Sequence, residues 1–264
     1  MLLMLIVFAA ASQAQSQDKR LQRDATAPRW LDAVGKLEVP TIKYEQGRRK
    51  HHREDCSATL IANRAGRYAD SIVTAWHCLE AYSDLSKPIV FTLEPWGKQP
   101  LTLTARRLAD GGHIDADWAI LRLERTVPTS EIRGLVLGLS TLPEHTVLQM
   151  AGYSGDPGLG RNGRQLTYDP DCRATTTTTR FVSTDCLAYK GASGGAVVSM
   201  DNSGEVLLRG IISQGDSDRL SIYVPTARFI GEINHLLALS ASLIRVNPLS
   251  PERHAPALRP LHQR

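Results

Sequence analysis

Apolar and polar residues alternate along much of the chain, or apolar residues gather in short runs, and clusters of glycine, asparagine and proline interrupt them at short intervals. Alternation of this kind marks half-buried strands. It predicts a first strand over Ala33–Val39, then two strands over Cys56–Ala62 and Tyr68–Ala75 around an Asn63-Arg64-Ala65-Gly66 turn. Further strands are predicted at Ile89–Leu93, Leu101–Ala105, Trp118–Leu123, Leu135–Leu137, Val147–Tyr153, Ala196–Val198 and Gly210–Gly215. Glu124–Gly134, with Pro128 and the polar Thr129-Ser130-Glu131, reads as the connection between two halves. The β-branched run Thr175–Thr179 suits a strand or an edge. Many short strands with turn signals and almost no helical periodicity predict an all-β protein built of barrels. One helical stretch follows Pro225-Thr226: Phe229, Ile230, Ile233, Leu236 and Leu237 share one face, with Thr226 as its N-cap.

The ends of the chain break this pattern. Met1–Ala11 is apolar and Ser12-Gln13-Ala14 supplies small residues, so residues 1–14 read as a signal peptide cleaved after Ala14. The run is short for a bilayer span, and no other stretch is long and apolar enough for one. Residues 15–29 read as an exposed linker or short propeptide, and residues 247–264, rich in Pro, Arg and His, as a disordered tail. Between them, residues 30–125 and 126–246 are predicted as two β domains sharing a cleft. An exported chain of this size points to a secreted or periplasmic protein, expected as a monomer.

Composition changes this picture little. The formal net charge of +4 sits in local clusters, so no nucleic-acid partner is implied. The basic run Gly47–Asp55, with His51 beside His52, lacks an ordered ligand spacing and reads as a solvated hairpin loop. Ser154–Gly160 is glycine-rich, but no convincing helix follows it, so it is not read as a nucleotide-binding loop. The 4 cysteines of an exported chain favour disulfides over metal ligands. Spacing suggests Cys56 with Cys78 and Cys172 with Cys186, while sequence alone allows all pairings.

Chemistry enters with Lys190-Gly191-Ala192-Ser193-Gly194-Gly195-Ala196, a serine among glycines just before an apolar run. Such a turn lets the backbone approach a substrate closely and aims successive N–H groups at one point, which an oxyanion needs. Upstream lie Thr74-Ala75-Trp76-His77-Cys78 and Asp117-Trp118-Ala119-Ile120-Leu121. A nucleophile, a base and an orienting carboxylate are therefore present, in the order His, Asp, Ser. Over roughly residues 30–240 the chain resembles the trypsin/chymotrypsin-like serine peptidases. Its pattern is nearest to secreted bacterial members of the glutamyl endopeptidase group.

The resemblance implies two antiparallel six-stranded β-barrels with the active site in the cleft between them and a C-terminal helix. It implies Ser193 as nucleophile, His77 as base, and Asp117 as the carboxylate that orients His77. Asp117 is preferred to Asp115 because it alone leads directly into Trp-Ala-Ile-Leu; His113 is given no role. The N–H groups of Gly191 and Ser193 would hold the oxyanion. Leu187 and Ala188 fall at the base of the primary pocket, with Ser213, Gln214 and Gly215 along its wall. No carboxylate stands at that base and no histidine near Ser213, so the pocket is expected to be neutral and to favour small or apolar side chains. Asp216 and Asp218 lie close enough to bend inward. The Cys56–Cys78 pair matches the family's bridge beside the histidine. Neither metal nor organic cofactor is implied, and the substrate class is protein or peptide.

Ala192 departs from the vertebrate branch, where an aspartate pairs with a newly freed N-terminus; no Ile-Val-Gly-Gly-like start is present either. The activity implied is peptide hydrolysis through an acyl-enzyme. Two alternatives stand beside it: a catalytically inactive binding protein of the same fold, and an esterase using the same triad.

Overall fold

The computed structural model describes residues 18–62, 67–139, 142–217 and 220–236. The expected signal peptide, the Asn63–Gly66 turn, Asp218, Leu237 and the C-terminal tail lie outside the described residues. The described chain opens with a short strand, β1 (Leu21–Gln22). The first barrel follows, from β2 (Val34–Glu45), β3 (Arg48–Ile61), β4 (Tyr68–Thr74), β5 (Ile89–Leu93), β6 (Leu101–Asp110) and β7 (Ala119–Pro128). These close in the order β2-β3-β4-β7-β6-β5, every pair antiparallel. Leu37, Leu60, Ile72, Phe91 and Leu121 fill its interior without solvent contact. Each comes from the inward set of its strand, as the period of two requires.

After β8 (Val136–Leu137) come β9 (Val147–Tyr153), β10 (Leu166–Thr177), β11 (Val182–Thr184), β12 (Ala196–Met200), β13 (Val206–Gly215) and β14 (Ser221–Pro225). The last six form a second ring, β9-β10-β11-β14-β13-β12, closed by β12 on β9. Leu148, Met150, Val197, Ile212 and Tyr223 fill it. Closing each sheet on itself removes the open edges that would otherwise invite pairing with other chains. Residues 230–236 are helical at the C-terminal end of the described chain. Phe229 and Ile233 are buried there, and the Phe229 ring lies 6.2 Å from that of Trp118 in the first barrel.

Four expectations need correction. The run Gly47–Asp55 is no solvated loop: β2 and β3 pair without interruption from Val34↔Thr59 to Glu45↔Arg48. The turn between them is Gln46-Gly47, both at positive φ (52° and 75°), the backbone of a two-residue hairpin turn that follows strand twist. Two cations of β3 are met by acids, Lys50 by Glu45 and Arg53 by Glu38 and Asp55, which helps a charged strand stay paired. Second, β7 continues past the expected boundary at 125 to Pro128, because Val127 is fully buried and the strand still pairs with Tyr68 and Ala69. Third, Val136–Leu137 does not start the second ring; it lies parallel to β13 outside it, while Leu135 bridges to Ile61. Fourth, Thr226 does not cap the helix through its side chain: it sits in a tight turn over Thr226–Arg228 and its hydroxyl donates to Gly138 O at 2.6 Å.

Residues 18–29 also differ from the expected exposed linker. β1 pairs with Tyr168 and Thr167 of β10, and Arg20 and Arg23 keep only 4% and 7% of their surface exposed. Arg23 pairs with Asp32 and donates to Glu94 O, so the segment touches both barrels.

Candidate active site

His77 opens a one-turn helix, α1 (His77–Glu80), directly after β4. Asp117 precedes β7 and is 1% exposed. The β4–β7 pairing, Thr74 opposite Ala119, brings the two together. Asp117 accepts three donors. His77 Nδ1 lies 3.1 and 2.9 Å from its two carboxylate oxygens, the His77 backbone N–H donates at 2.9 Å, and the Ser213 hydroxyl donates at 2.5 Å. A buried carboxylate is tolerated when its lone pairs are met in this way. With Nδ1 turned to Asp117, Nε2 is the ring nitrogen left facing the cleft. Asp115 stays at the surface with His113, 4.0 Å away, as its only ionic neighbour among the described residues.

Ser193 sits on the turn between β11 and β12. Gly191 and Gly194 have φ of 92° and 82°, the region where a Cβ is strained. A Cβ on Gly194 would lie 2.1 Å from Thr74 Oγ1 and 2.2 Å from Ser57 O, so the turn can press against the first barrel only with glycine there. The first barrel fastens the turn. Ser57 N–H donates to Ser193 O at 2.8 Å, Ser57 Oγ donates to Gly191 O at 2.8 Å, and Thr59 Oγ1 donates to Gly194 O at 3.2 Å. Lys190 O accepts the Gly155 N–H at 2.6 Å and Tyr189 O accepts that of Ala192 at 3.0 Å. The N–H groups of Gly191 and Ser193 have no protein acceptor among the described residues. The Ser193 hydroxyl donates to Ser213 O at 3.4 Å.

The Ser213 side chain thus holds Asp117 and its carbonyl accepts the Ser193 hydroxyl, contacts that its expected place on the pocket wall did not include. Gln214 and Gly215 continue the strand at the surface. A Cβ on Gly215 would lie 2.5 Å from Ala188 O, so this strand and the segment before the nucleophile run against each other. Leu187 is half-buried and Ala188 buried. One carboxylate lies against the backbone of this segment. Asp169 of β10, fully buried, accepts the Leu187 N–H at 3.4 Å, and burial pushes its carboxyl above the usual aspartate range. Asp216 belongs to the turn after β13, where its carboxylate accepts the Leu220 N–H at 2.9 Å.

Both disulfides form, Cys56–Cys78 and Cys172–Cys186. Cys56, His77 and Cys78 lie close enough for metal ligation, but the two sulfurs are spent on the bridge. Sequence reasoning missed Ser57, Thr59 and Gly155, which fix the nucleophile turn. Their signal, small hydroxylated residues beside Cys56 and a glycine at the head of the Ser154–Gly160 loop, is meaningful only once the barrels are docked.

This geometry agrees with comparison to known proteins. The description "trypsin-like peptidase domain" matches residues 56–207. The chain belongs to the trypsin-like peptidase family. It is a serine endopeptidase by that membership; the match does not reach the glutamyl endopeptidase subgroup. Among solved structures, this peptidase is similar to a thermostable serine protease, AL20, from an extremophilic microorganism. The two are 17% identical, with a TM-score of 0.56 over 75% of this chain and 93% of that one. It is also similar to Rv3671c from M. tuberculosis H37Rv, seen as an inactive serine-to-alanine mutant. There the identity is 14% and the TM-score 0.51, over 78% of this chain and 87% of that one. At these identities the two structures speak for the fold. No curated protein matches the sequence. No helix among the described residues is long and apolar enough to cross a membrane.

Proposed function

We propose that the peptidase is secreted or periplasmic and cleaves peptide bonds with Ser193 as nucleophile, His77 as general base and acid, and Asp117 as the group that orients His77. The observation that carries this reading is the Asp117–His77 pair set beside a serine whose turn leaves two N–H groups unused. As substrate binds, the Ser193 hydroxyl turns from Ser213 O toward His77 Nε2, which takes its proton while Oγ attacks the scissile carbonyl; such catalytic hydrogen bonds often tighten only with substrate in place. The tetrahedral oxyanion rests on the Gly191 and Ser193 N–H groups. His77 then gives the proton to the leaving amine, and water repeats the sequence on the acyl-enzyme. The close approach of Gly215 to Ala188 supports a narrow primary subsite, suited to small side chains. Asp169 is fully buried and accepts the Leu187 backbone N–H, so its carboxylate is not exposed to that subsite.

Intact-mass measurement after fluorophosphonate treatment tests the reading. One adduct on the wild type and none on Ser193→Ala is the expected result; no adduct on folded wild type would leave an inactive binding protein of this fold. Peptide-library cleavage is expected after small residues. Cleavage confined to Arg or Lys would overturn the neutral subsite, and hydrolysis of small esters with no peptide cleavage would move the assignment to an esterase.

A further inference from the structure

Among the described residues the ion pair of the oxyanion turn is Lys190 with Glu54, 4.0 Å apart and exposed at the lysine, too loose to set the turn's orientation. Ala192, in the position next to the nucleophile, is 1% exposed among Leu148, Met150, Val197 and Ile212, where a charge would be buried without a partner. Besides the bonds from Ser57 and Thr59, the Lys190–Gly191 peptide is held through Lys190 O, which accepts the Gly155 N–H at 2.6 Å. A trans peptide points its C=O and N–H in opposite directions, so holding Lys190 O on Gly155 aims the Gly191 N–H the other way, into the cleft. Gly155 belongs to the loop that runs from Ser154 to Gly163, whose ends are tied by the Gly163 N–H on Ser154 O at 2.9 Å.

One side chain grips both that loop and the turn. Arg20, from the N-terminal segment, donates through Nη1 to Asp156 Oδ1 at 2.8 Å, one residue from Gly155. Its guanidinium carbon lies 4.0 Å from the ring centroid of Tyr189, the residue whose carbonyl accepts the Ala192 N–H. Asp18 closes the outer edge of the guanidinium at 2.7 Å. Gln22 adds a second tie to the same loop, Nε2 to Leu159 O at 2.8 Å. Burial alone would weaken the Arg20 charge, but the hydrogen bonds and charges of Asp18 and Asp156 outweigh it and raise its pKa. A planar cation with two carboxylates on its edges and an aromatic face beneath it is held in one pose.

We propose that Arg20 is a positioning residue for catalysis: the N-terminal segment, through Arg20, holds the Ser154–Gly163 loop and Tyr189 so that the Gly191 N–H faces the oxyanion. This rests on the assignment of Gly191 and Ser193 as oxyanion donors. It also reverses the expectation for residues 15–29: their removal takes away β1 and Arg20, so it inactivates the enzyme rather than releasing it.

The test compares the full mature chain with Arg20→Met, Arg20→Lys, Asp156→Asn and Asp18→Asn. It reads kcat and KM on a peptide substrate, the rate of fluorophosphonate acylation, and Tm. Loss of one oxyanion donor costs about 100-fold or more in kcat, so a donor held loosely in place should cost about 10-fold. Arg20→Met is expected to lower kcat and the acylation rate about 10-fold with KM within about twofold, and Arg20→Lys to recover part of the loss. Asp156→Asn, which cuts the tie from Arg20 to the loop, lowers kcat further than Asp18→Asn, which only loosens the pose of Arg20, although each removes one ion pair from it. A merely structural arginine would make the two equivalent. Should Arg20→Met fail to fold, the Asp156→Asn and Asp18→Asn pair decides. Equal kcat in that pair, or a folded Arg20→Met enzyme within about twofold of wild type, overturns the proposal. Wild-type enzyme that does not react at Ser193 would instead overturn the oxyanion assignment itself.

Discussion

Ser213 shows how much one hydroxyl can bear. Its Oγ is one of three donors on a carboxylate that is 1% exposed, and its carbonyl receives the Ser193 hydroxyl. A hydrogen bond to a charged group contributes about 1.5–3 kcal/mol, and its loss here is felt where His77 is aimed. Ser213→Ala is therefore expected to lower kcat about 10-fold with little change in KM, measured by steady-state kinetics on one peptide. An unchanged kcat would mean that the two His77 bonds orient Asp117 unaided. At this scale the three residues of the proposed triad stand out in the sequence because each sits in a short local motif. The Ser213 contact with Asp117 could not, since it joins residues 96 positions apart. The same distance in sequence hid Ser57 and Thr59, whose hydroxyls reach Gly191 and Gly194 across 134 and 135 positions.

At the scale of elements, alternation marked the strands of the first barrel best; most of β10, and β11 and β14, went unpredicted although each has a buried face. β3 was hidden in Arg48–Asp55 because that half of the β2–β3 hairpin extends beyond the barrel, leaving no apolar alternation to follow. The two disulfides act on different elements. Cys56–Cys78, with a sequence separation of 22, ties β3 to α1 beside His77; Cys172–Cys186, with a separation of 14, ties β10 to the segment entering Leu187 and Ala188. Loop closure of these lengths is worth about 3 kcal/mol each in the unfolded chain. Replacing either pair with alanine should thus lower stability by a similar amount, read by urea denaturation. Kinetics should separate them: Cys56→Ala with Cys78→Ala is expected to lower kcat, and Cys172→Ala with Cys186→Ala to raise KM. The reverse assignment would place the supports of base and pocket wrongly.

Across the whole molecule, the active site exists only where two barrels meet, so whatever docks them also builds the site. Apolar contact does part of this, with Phe229 of the second barrel against Trp118 of the first. Polar contacts add to it: Trp30 Nε1 donates to Gln149 at 3.0 Å, Tyr153 OH donates to Glu94 at 3.2 Å, and Lys36 Nζ lies 4.9 Å from the Tyr153 ring centroid. The N-terminal segment spans the joint, with Arg23 on Asp32 and Glu94 O of the first barrel and Arg20 on Asp156 of the second. The sequence of that segment, polar and rich in charge, looks solvated because its partners lie far along the chain, 136 positions from Arg20 to Asp156 and 137 from Gln22 to Leu159. Its ionic character can be tested by pH. Burial works against the Asp156 charge, but the Arg20 and Gly160 hydrogen bonds overcome it and hold the carboxyl below the usual aspartate range. A depressed carboxylate contributes stability that is complete above its unfolded pKa, about 3.9, and is lost as pH falls through the folded value. The Tm difference between wild type and Asp156→Asn should therefore stay constant from about pH 8 to about pH 5 and shrink only below about pH 4. A difference that disappears already near pH 6 would show that Asp156 is not held as a paired carboxylate, and that the segment is fastened to the second barrel by β1 and Gln22 alone.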